Sequence, residues 1–479
     1  MKRALSRKNL LERLSRTGKC LLGPVLGAVS LPYLLGRRFR ENRRFIRHAE
    51  KWTAEQARAY QIEALRRLCT LAYGKTSYYR RAFDAIGFHP EDLKSAEAFS
   101  RLPIIDRETI REHLDEMCAR PVDHPSVDHC STGGSSGEPL FFYMGSERSA
   151  IEYAYLIASF ARAGYRLRMP MAVLRGQGVS VDRKGLYHEY DPILRHHYYS
   201  SFHLTDGSIG RYLEHIATIG PCFLHVYPSS VAALARFIRR AGVKAPDNIR
   251  GIIAESEVVY PEQRQMAEEV FGCRYFSCYG HSEKLVLAAE CEFSPDYHVW
   301  PTYGYFELLD EQGRPVTMPG ERGEIVGTGF INTVVPFIRY RTGDYATYVG
   351  DHCEACGRQH TIIRDIRGQR TQEMLVAADG SGISWTALNM HDDTFLRVRQ
   401  FQFRQDRPGR AVLRVVPAER FGDEDQQRIQ QNLARKLDGQ VSFAIELVES
   451  IPLSPRGKAI YVDQQIHGRL PDQHERKPS

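Results

Sequence analysis

The sequence lacks an uninterrupted apolar run of about 20 residues, the length that a membrane-spanning helix needs. Its apolar segment CLLGPVLGAVSLPYLL (Cys20 to Leu35) is shorter, contains two prolines and is flanked by Arg and Lys on both sides. The basic start has no clean signal-peptide cleavage site, and the ten cysteines do not show the paired spacing of small secreted proteins. We therefore expect a cytoplasmic protein whose thiols are free or bound to metal.

Most of the sequence also lacks an excess of positive charge. The formal net charge is 65 − 58 = +7, but residues 1–50 hold 13 Lys or Arg against three Glu, a balance of +10. The remainder is close to −3, and we expect no nucleic-acid partner for it. Two interpretations of the basic arm stay open. Its apolar segment packs against the protein's own body, or it rests as a hydrophobic wedge on the anionic inner face of a membrane. The prolines favour the first.

The order of sequence patterns predicts an α/β body followed by a small α+β unit. A length of 479 residues, with no internal repeat, indicates two or more domains. Residues 53–118 have helical periodicity, with a new helix starting after Asp106. From about 128 to 345, apolar runs such as MAVLRG, CFLHVYPSS, IRGIIAESE and YFSCYGHSE alternate with helical segments, which predicts layered sheets and helices. A hairpin, an amphipathic helix and a last strand, VSFAIELVESIPL, follow.

The stretch HCSTGGSSGEPLFFY (129–143) is rich in glycine and serine between apolar segments. Small side chains let an anion approach closely, and free backbone N–H groups can converge on it, so phosphate is the expected guest. Such a loop alone is common in ordinary turns. Four further segments follow it in order: ESE at 255–257, YGHSE at 279–283, YRTGD at 340–344 and LSPRGK at 453–458.

With these motifs in this order, the sequence resembles the adenylate-forming superfamily of acyl-CoA synthetases. It resembles most the phenylacetate–CoA ligase branch, with its CapK-type proteins of capsule polysaccharide biosynthesis, from about residue 50 to 465. The resemblance implies three parts. They are a basic and apolar arm (1–50), a large α/β domain that binds ATP and the acyl group (51–366) and a small, mobile α+β lid (367–479).

The resemblance also implies a nucleotide site. The residues implied to bind ATP or AMP in the large domain are Thr132, Gly133, Gly134, Ser135, Ser136, Gly137, Ser256, Glu257, Tyr279, Gly280, His281, Ser282 and Asp344. Tyr279 offers a ring for adenine, Glu283 an oxygen ligand for Mg²⁺, and Asp344 a carboxylate for both ribose hydroxyls. Usual members carry Lys where this chain has Glu138, whose carboxylate we expect to point away from the phosphates.

Two further basic residues complete the implied site. GQRTQE has one extra residue relative to the family pattern, so either Arg370 reaches the ribose or phosphate, or Arg367 does. Lys458 resembles the lysine that the small domain brings to the carboxylate and the α-phosphate, where its charge offsets developing negative charge. Lys458 and Glu283 are thus the candidate catalytic residues.

The implied reaction turns a carboxylate and ATP into an acyl adenylate and pyrophosphate, after which the thiol of coenzyme A displaces AMP. Two alternatives stay open. The acyl or aminoacyl group is transferred to an amine or hydroxyl acceptor, as in capsule polysaccharide or amide biosynthesis, or the chain binds nucleotide and has lost catalysis. The partner is a small-molecule carboxylic acid whose identity the sequence does not reveal. We expect its pocket between about residues 140 and 285.

A second group of residues has the spacing of a metal site. CEAC (Cys353, Cys356) is typical of a zinc knuckle, and CEFSPDYH supplies Cys291 and His298. The branch resembled often shows such an upstream pair and later knuckle, which implies that the four residues converge on a structural Zn²⁺. His352 and His360 are rival fourth ligands. The alternative is a set of reduced thiols without metal.

Overall fold

The computed structural model describes residues 29–132, 140–182, 185–368, 374–384, 388, 390, 394–395, 397–418, 420–452 and 461–466. No helix within these ranges is both long enough and apolar enough to cross a membrane. The nine cysteines that they contain are free thiols.

Helices dominate the chain up to residue 118, in agreement with the predicted periodicity. They are α1 (Leu31–Leu34), α2 (Arg37–Ala49), α3 (Ala54–Lys75), α4 (Ser77–Asp84), α5 (Ala96–Ser100) and α6 (Arg107–His113). Side-chain caps fix two of the starts. The Thr53 hydroxyl accepts a 3.2 Å hydrogen bond from Gln56 N before α3, and the Asp106 carboxylate accepts one of 2.9 Å from Thr109 N before α6. The predicted helix start after Asp106 is confirmed.

The described part of the basic arm packs on the protein's own body. Its buried apolar side chains, which share a core with helix α7 (Arg148–Arg162), are Leu31, Leu35, Phe39 and Ile46. Glu50, which follows α2, lies 3.3 Å from the guanidinium nitrogens of both Arg162 and Arg358. Residues 29–50 therefore follow the first interpretation of the arm. Residues 1–28 lie outside the described part of the chain.

The large domain is built on a twelve-stranded sheet. From edge to edge its strands are β11 (Gly304–Leu309), β12 (Arg322–Gly329), β13 (Tyr340–Gly350), β14 (Ile362–Arg367), β10 (Tyr297–Val299), β9 (Leu287–Ala289), β8 (Tyr275–Gly280), β7 (Ile249–Glu255), β6 (Cys222–Val226), β3 (Met171–Leu174), β5 (His196–Tyr199) and β4 (His188–Asp191). Neighbours from β8 to β5 are parallel and the others antiparallel. A separate hairpin, β1 (Val127–Ser131) with β2 (Phe141–Gly145), flanks the glycine-rich loop.

The parallel half explains why the predicted strands are apolar runs. Every residue of β3 is buried, as expected for a parallel strand covered on both faces. The helices of this half are α7, α8 (Asp206–Ala217), α9 (Pro228–Ala241) and α10 (Pro261–Phe271). The carboxyl ends of β3, β6, β7 and β8 meet at one edge, where open α/β sheets bind ligands. We call it the carboxyl edge. The predicted α/β class is confirmed.

Glycines let the chain after β8 cross closely over β11 and β12. A Cβ atom built on Gly304 would lie 1.9 Å from the carbonyl oxygen of Leu285, and one on Gly329 would lie 2.7 Å from that of Lys284. Only a residue without a side chain leaves room for this backbone contact. The contact fixes the segment that follows the YGHSE motif.

The chain from residue 374 forms a second, smaller unit. Its elements are the hairpin β15 (Met374–Val376) and β16 (Gly382–Ser384), the sheet β19 (Ser442–Leu447), β18 (Arg410–Pro417), β17 (Val398–Arg407) and β20 (Val462–Gln464), and helix α11 (Asp423–Leu437). The β17–β18 hairpin, α11 and β19 match the prediction. The prediction that VSFAIELVESIPL is the last strand is wrong, because β20 follows it and pairs parallel with β17. Three residues are too few to show a period.

The second unit contacts the large domain beside the glycine-rich loop. Phe202 and Tyr227, which follow β5 and β6, are buried in the same hydrophobic cluster as Leu375 and Phe395. Ser131, at the end of β1, donates a 3.0 Å hydrogen bond from Oγ to the carbonyl oxygen of Met390.

Candidate functional site

Polar side chains from three neighbouring strands meet at the carboxyl edge. Nη1 of Arg175, directly after β3, lies 2.5 Å from Oε1 of Glu255 at the end of β7. Nε2 of His225 in β6 lies 2.9 Å from the same oxygen. Burial opposes ionisation of Glu255, but the charge of Arg175 and the hydrogen bond with His225 outweigh it and lower the pKa of Glu255 to about 2. Glu255 is therefore a carboxylate at neutral pH and holds Arg175 at this edge.

The two residues after Glu255 have different surroundings. Ser256 has a left-handed backbone (φ +74°), and its Oγ accepts a 2.7 Å hydrogen bond from Arg175 Nη2. The Glu257 side chain contacts the N-terminal end of α9. There Ser229 N and Ser229 Oγ donate hydrogen bonds to its two carboxylate oxygens at 2.9 and 3.1 Å. A carboxylate at a helix N-terminus is stabilising. Glu257 thus has a capping role that its sequence motif does not indicate.

The YGHSE and YRTGD motifs meet through Tyr279, His281 and Asp344. Tyr279 ends β8 with Gly280, and its hydroxyl donates a 2.8 Å hydrogen bond to Asp344 Oδ2. The same hydroxyl lies 2.6 Å from His281 Nε2. Burial, and then the Asp344 carboxylate, raise the pKa of Tyr279 well above its ordinary value, so that the phenol stays protonated and donates. The two motifs are adjacent in space.

One atom of this group has an unmet hydrogen-bonding capacity. Among the described residues, His281 Nδ1 is buried without a hydrogen-bond partner. If the Tyr279 phenol donates to Asp344, His281 Nε2 carries its proton and donates to the phenol oxygen, which leaves Nδ1 as an acceptor. An unpaired buried nitrogen is costly, so a bound group with a donor, such as a nucleotide, fits this position.

Glu283 lies near Tyr279 and Tyr340. Its side chain is nearly buried (8% exposed), and its charge contributes to the raised pKa values of Tyr279 and Tyr340. Ser282 precedes it in the turn after β8. A buried carboxylate beside two phenols supplies the hard oxygen ligand that Mg²⁺ accepts.

Thr132 closes the base of the glycine-rich loop. Its N–H donates to the carbonyl oxygen of Leu140 at 2.9 Å, and its Oγ1 accepts from Leu140 N at 3.2 Å. Nη2 of Arg107, the first residue of α6, lies 3.4 Å from the same hydroxyl. Arg107 also hydrogen-bonds to Tyr340, the residue that opens the YRTGD motif. A cation is thereby placed at the base of the predicted phosphate loop.

Several predicted residues lie outside the described part of the chain. They are Gly133, Gly134, Ser135, Ser136 and Gly137 of the loop, with Glu138, and Arg370 and Lys458 near and within the second unit. Arg367, the alternative to Arg370, is the last residue of β14. Their predicted roles stay predictions.

The predicted metal ligands come together beside the antiparallel half of the sheet, where His298 belongs to β10 and the two cysteines of CEAC lie between β13 and β14. Single ligand atoms of Cys291, His298, Cys353 and Cys356 all lie within 4.8 Å of one another. The Cys291 sulfur accepts hydrogen bonds from the backbone N–H groups of Phe293 and Ser294 at 3.4 and 3.3 Å. Two sulfurs from a CxxC turn with a further Cys and a His form the donor set that Zn²⁺ prefers.

The electrostatics of this cluster also fit a metal. Burial raises the pKa of the Cys356 thiol, but hydrogen bonds and the charge of Arg358 outweigh it and lower that pKa overall. Burial and the charge of Arg162 lower the pKa of His298 to about 4, which keeps its imidazole neutral. Neither rival ligand belongs to the cluster: His352 Nδ1 lies 2.6 Å from Gln359 Nε2, and His360 is buried against the Trp300 ring.

Sequence reasoning assigned no individual role to Arg107, Arg175, His225, Glu255 or Tyr340, although Glu255 lies in the ESE motif and Tyr340 in the YRTGD motif. Arg175, His225 and Glu255 each lie at or next to the carboxyl end of a predicted strand. Because open α/β sheets bind ligands at these ends, this position would have indicated all three. Arg107 carries no such signal, since its position depends on the contact of Ile105 with Tyr340 in β13.

Comparisons with known proteins show what the chain is similar to. Residues 375–465 match the family model described as the CapK C-terminal domain. A phenylacetate-coenzyme A ligase of Thermus thermophilus is 27% identical over 330 residues, which cover 67% of this chain and 72% of that protein. The protein CapK of Staphylococcus aureus is 22% identical over 378 residues, which cover 77% of this chain and 80% of CapK.

A solved structure shares the fold. A 2-hydroxyisobutyryl-CoA ligase in an open conformation, in complex with 2-HIB-AMP and CoA, aligns over 86% of this chain and 93% of its own, with a TM-score of 0.55 and 21% identity.

Proposed function

Because the chain belongs to the adenylate-forming superfamily, in the branch of the phenylacetate-coenzyme A ligases and CapK, we propose that it is an acid–thiol ligase. It activates a carboxylic acid with ATP and transfers the acyl group to coenzyme A. The observation that carries the proposal is the contact between Tyr279 and Asp344, which brings two separate nucleotide motifs together at the carboxyl edge. The phenylacetate-coenzyme A ligases among its relatives support the thiol acceptor.

The proposed reaction has two steps. A carboxylate oxygen of the acid attacks the α-phosphorus of ATP, the new P–O bond forms, the α–β bridging bond breaks, and pyrophosphate leaves. The sulfur of coenzyme A then attacks the acyl carbon, a C–S bond forms, the C–O bond to AMP breaks, and the thiol proton is released to solvent. Because both reactants of the first step are negatively charged, positioning and charge neutralisation supply most of the acceleration.

The site residues divide this work in the proposal. Asp344 binds the ribose hydroxyls, and the ring of Tyr279 stacks on adenine. Thr132 and the glycine-rich loop bind the phosphates, with Arg107 as a nearby cation. Glu283 would hold Mg²⁺, which neutralises phosphate charge when bound.

We further propose that residues 367–479 are a lid that carries Lys458 to the α-phosphate. In this scheme the lid rotates between the two steps, and residues 364–370 are its hinge. The contact from Ser131 to Met390 supports a resting place for the lid beside the glycine-rich loop. Either Arg370 or Arg367 contributes a cation near the hinge.

The second candidate function keeps the first step and transfers the acyl or aminoacyl group to an amine or hydroxyl. The match of residues 375–465 to the CapK C-terminal domain favours this candidate. It would place the enzyme in polysaccharide or amide biosynthesis. The acid itself would bind between about residues 140 and 285, beside the carboxyl edge.

Pyrophosphate release tests these functions. The full chain is incubated with ATP, Mg²⁺ and a panel of aryl, fatty and amino acids, with and without coenzyme A, and with Asp344→Ala as the inactive control. Release stimulated by coenzyme A supports the ligase. Release that ignores the thiol and responds to an amine or hydroxyl supports the second candidate. No release with any acid would contradict both and indicate a homologue that has lost catalysis.

We also propose that the cluster of Cys291, His298, Cys353 and Cys356 holds a structural Zn²⁺. Its four protein donors leave no open position for a substrate, which is typical of structural rather than catalytic zinc. The ion would join the segment after β9 to the loop between β13 and β14.

For localisation, we propose a cytoplasmic enzyme that touches the inner face of a membrane through the start of its arm. Since residues 29–50 pack on the body, only residues 1–28 are left for this contact. These residues hold seven Lys or Arg against Glu12, a balance of 7 − 1 = +6. Sedimentation with anionic vesicles should be lost when residues 1–28 are deleted, and equal sedimentation of both chains would rule the contact out.

A further inference from the structure

Three histidines that belong to neither site described above meet where the outermost strands of the large sheet, β4 and β5, are covered by α8. We propose that His188, His197 and His215 form a binding site for a divalent transition-metal ion. Single ligand atoms of the three lie within 4.8 Å of one another. All three side chains are partly exposed, so an ion can reach them from solvent.

The fold brings these residues together from three elements. In the antiparallel pair of β4 and β5, His188 is opposite Tyr199, and Tyr190 is opposite His197. Residues opposite each other share a face, as do residues two apart, so His188 and His197 are diagonal neighbours on one face. His215, in the last turn of α8, covers that face: its ring centroid lies 4.4 Å from that of His188 and 5.7 Å from that of His197.

The distances suit an ion held by imidazole nitrogens. His188 Nε2 lies 3.1 Å from His197 Nδ1. Two nitrogens bound to one tetrahedral ion at about 2.0–2.1 Å are about 3.3 Å apart, so the pair needs little movement to bind. The Tyr199 hydroxyl lies 2.7 Å from His215 Nδ1 and fixes the plane of that ring, as second-layer partners do for metal-ligating histidines.

The donor set selects the class of metal. Imidazole nitrogens suit Zn²⁺, Cu²⁺, Ni²⁺ and Co²⁺, whereas Mg²⁺ and Ca²⁺ need oxygen ligands. Three protein nitrogens leave a coordination position for water or an anion, in contrast to the closed Cys and His cluster. The ion would tie the β4–β5 edge to α8. This edge adjoins β3, and the Ser201 hydroxyl after β5 accepts a 2.8 Å hydrogen bond from Gly176 N after β3.

Co²⁺ binding to the full chain, free of any histidine tag, tests the site. To remove the other cluster, the double substitution Cys353→Ser with Cys356→Ser is used as the background. We expect this background to bind one equivalent of Co²⁺ with d–d absorption and without thiolate-to-cobalt charge transfer. In it, His188→Gln and His215→Gln should each abolish that equivalent, while His124→Ala, a histidine on an exposed turn, should keep it. Added Zn²⁺ should displace the Co²⁺.

A control distinguishes loss of metal binding from loss of folding: the same histidine substitutions are made in the chain that keeps all its cysteines. Circular dichroism should stay that of the wild type, and the thermal midpoint without metal should stay within a few degrees of it. Addition of Zn²⁺ should raise the thermal midpoint of the serine background. It should leave the thermal midpoint of the same background with His188→Gln unchanged. The proposal is overturned if the serine background, shown to be folded by circular dichroism, binds no Co²⁺, or if both folded histidine variants of that background still bind one equivalent.

Discussion

The Tyr279 phenol donates a 2.8 Å hydrogen bond to Oδ2 of Asp344, although 65 residues separate the two in the chain. Asp344 belongs to β13 in the antiparallel half of the sheet, and Tyr279 ends the last parallel strand. The bond therefore joins the two halves at the nucleotide site. It holds the carboxylate in one orientation before any nucleotide arrives, which reduces the ordering cost of binding.

The first prediction concerns this bond. Tyr279→Phe removes the donor and leaves the ring. Because a hydrogen bond to a charged group contributes about 1.5–3 kcal/mol, we expect the KM for ATP to rise at least about tenfold. Steady-state kinetics of pyrophosphate release measures it. Tyr345→Phe, an exposed ring on the same strand as Asp344, is the control and should leave KM unchanged. An unaltered KM in Tyr279→Phe would show that the bond does not position Asp344 for ribose.

The second prediction concerns Glu255. Its pKa is lowered to about 2 in the folded protein, from an ordinary value of 4.5. A lowered folded pKa means that the carboxylate stabilises the fold above pH 4.5 and that this contribution is lost as the pH falls toward 2. Glu255→Gln should lower the free energy of unfolding by about 3 kcal/mol at pH 7, since it leaves Arg175 and His225 without their anion.

Urea denaturation at several pH values checks the sign of this effect. The difference between wild type and Glu255→Gln should shrink as the pH is lowered below about 4.5, because the Glu255 carboxyl of the unfolded chain then takes up a proton, whereas that of the folded protein stays ionised until the pH nears 2. Glu321→Gln, at an exposed position, should match the wild type throughout. A difference that is constant from pH 7 to pH 3 would exclude ionised Glu255 as its source.

Sequence reasoning located β3, β6, β7 and β8 and the motif residues that follow them, because each of these strands is an apolar run that ends in a polar turn. It could not show that Arg175, His225 and Glu255 form one cluster. That contact depends on β6 pairing directly with β3, although β4 and β5 separate these two strands in the chain. The histidines at 188, 197 and 215 were missed for a similar reason, since the register of β4 on β5 and the position of α8 bring them together. The Cys and His cluster was found because the spacing within each of its two pairs is local and the family resemblance implied that the pairs converge.

The third prediction concerns the glycine contact after β8. Gly304→Ala would place a Cβ 1.9 Å from the Leu285 carbonyl oxygen and 2.7 Å from that of Thr328. The backbone must shift, so we expect a loss of about 3 kcal/mol in stability and a lower rate of adenylation, because Glu283 lies two residues before Leu285. Gly74→Ala in helix α3, where nothing lies within 4 Å of the added Cβ, should stabilise by about 0.5–1 kcal/mol. Equal stability of the two variants would contradict a close crossing.

The fourth prediction concerns the proposed zinc. Purified protein should contain about one equivalent of Zn²⁺ at the Cys cluster, and Cys353→Ser should lose it together with several kcal/mol of stability. Cys118→Ser, a half-buried thiol that donates to the Leu114 carbonyl oxygen at 3.2 Å, is the control and should keep the metal. Elemental analysis decides whether the cluster holds Zn²⁺ or consists of reduced thiols without metal. Less than about half an equivalent in wild-type protein would end the zinc proposal.

The fifth prediction concerns Lys458 and separates binding from chemistry. If the lysine acts on the charge that develops as the carboxylate attacks phosphorus, Lys458→Ala should lower the adenylation rate by at least about 100-fold, the size of a lost transition-state donor. ATP affinity should change far less, since Asp344, Tyr279 and the glycine-rich loop still bind the nucleotide. Single-turnover formation of the adenylate gives the rate, and equilibrium titration with ATP gives the affinity. Lys244→Ala, an exposed lysine whose Nζ lies 3.2 Å from Asp247, should alter neither. Equal losses of rate and affinity would make Lys458 a binding residue and remove the reason for a lid that carries it to the α-phosphate.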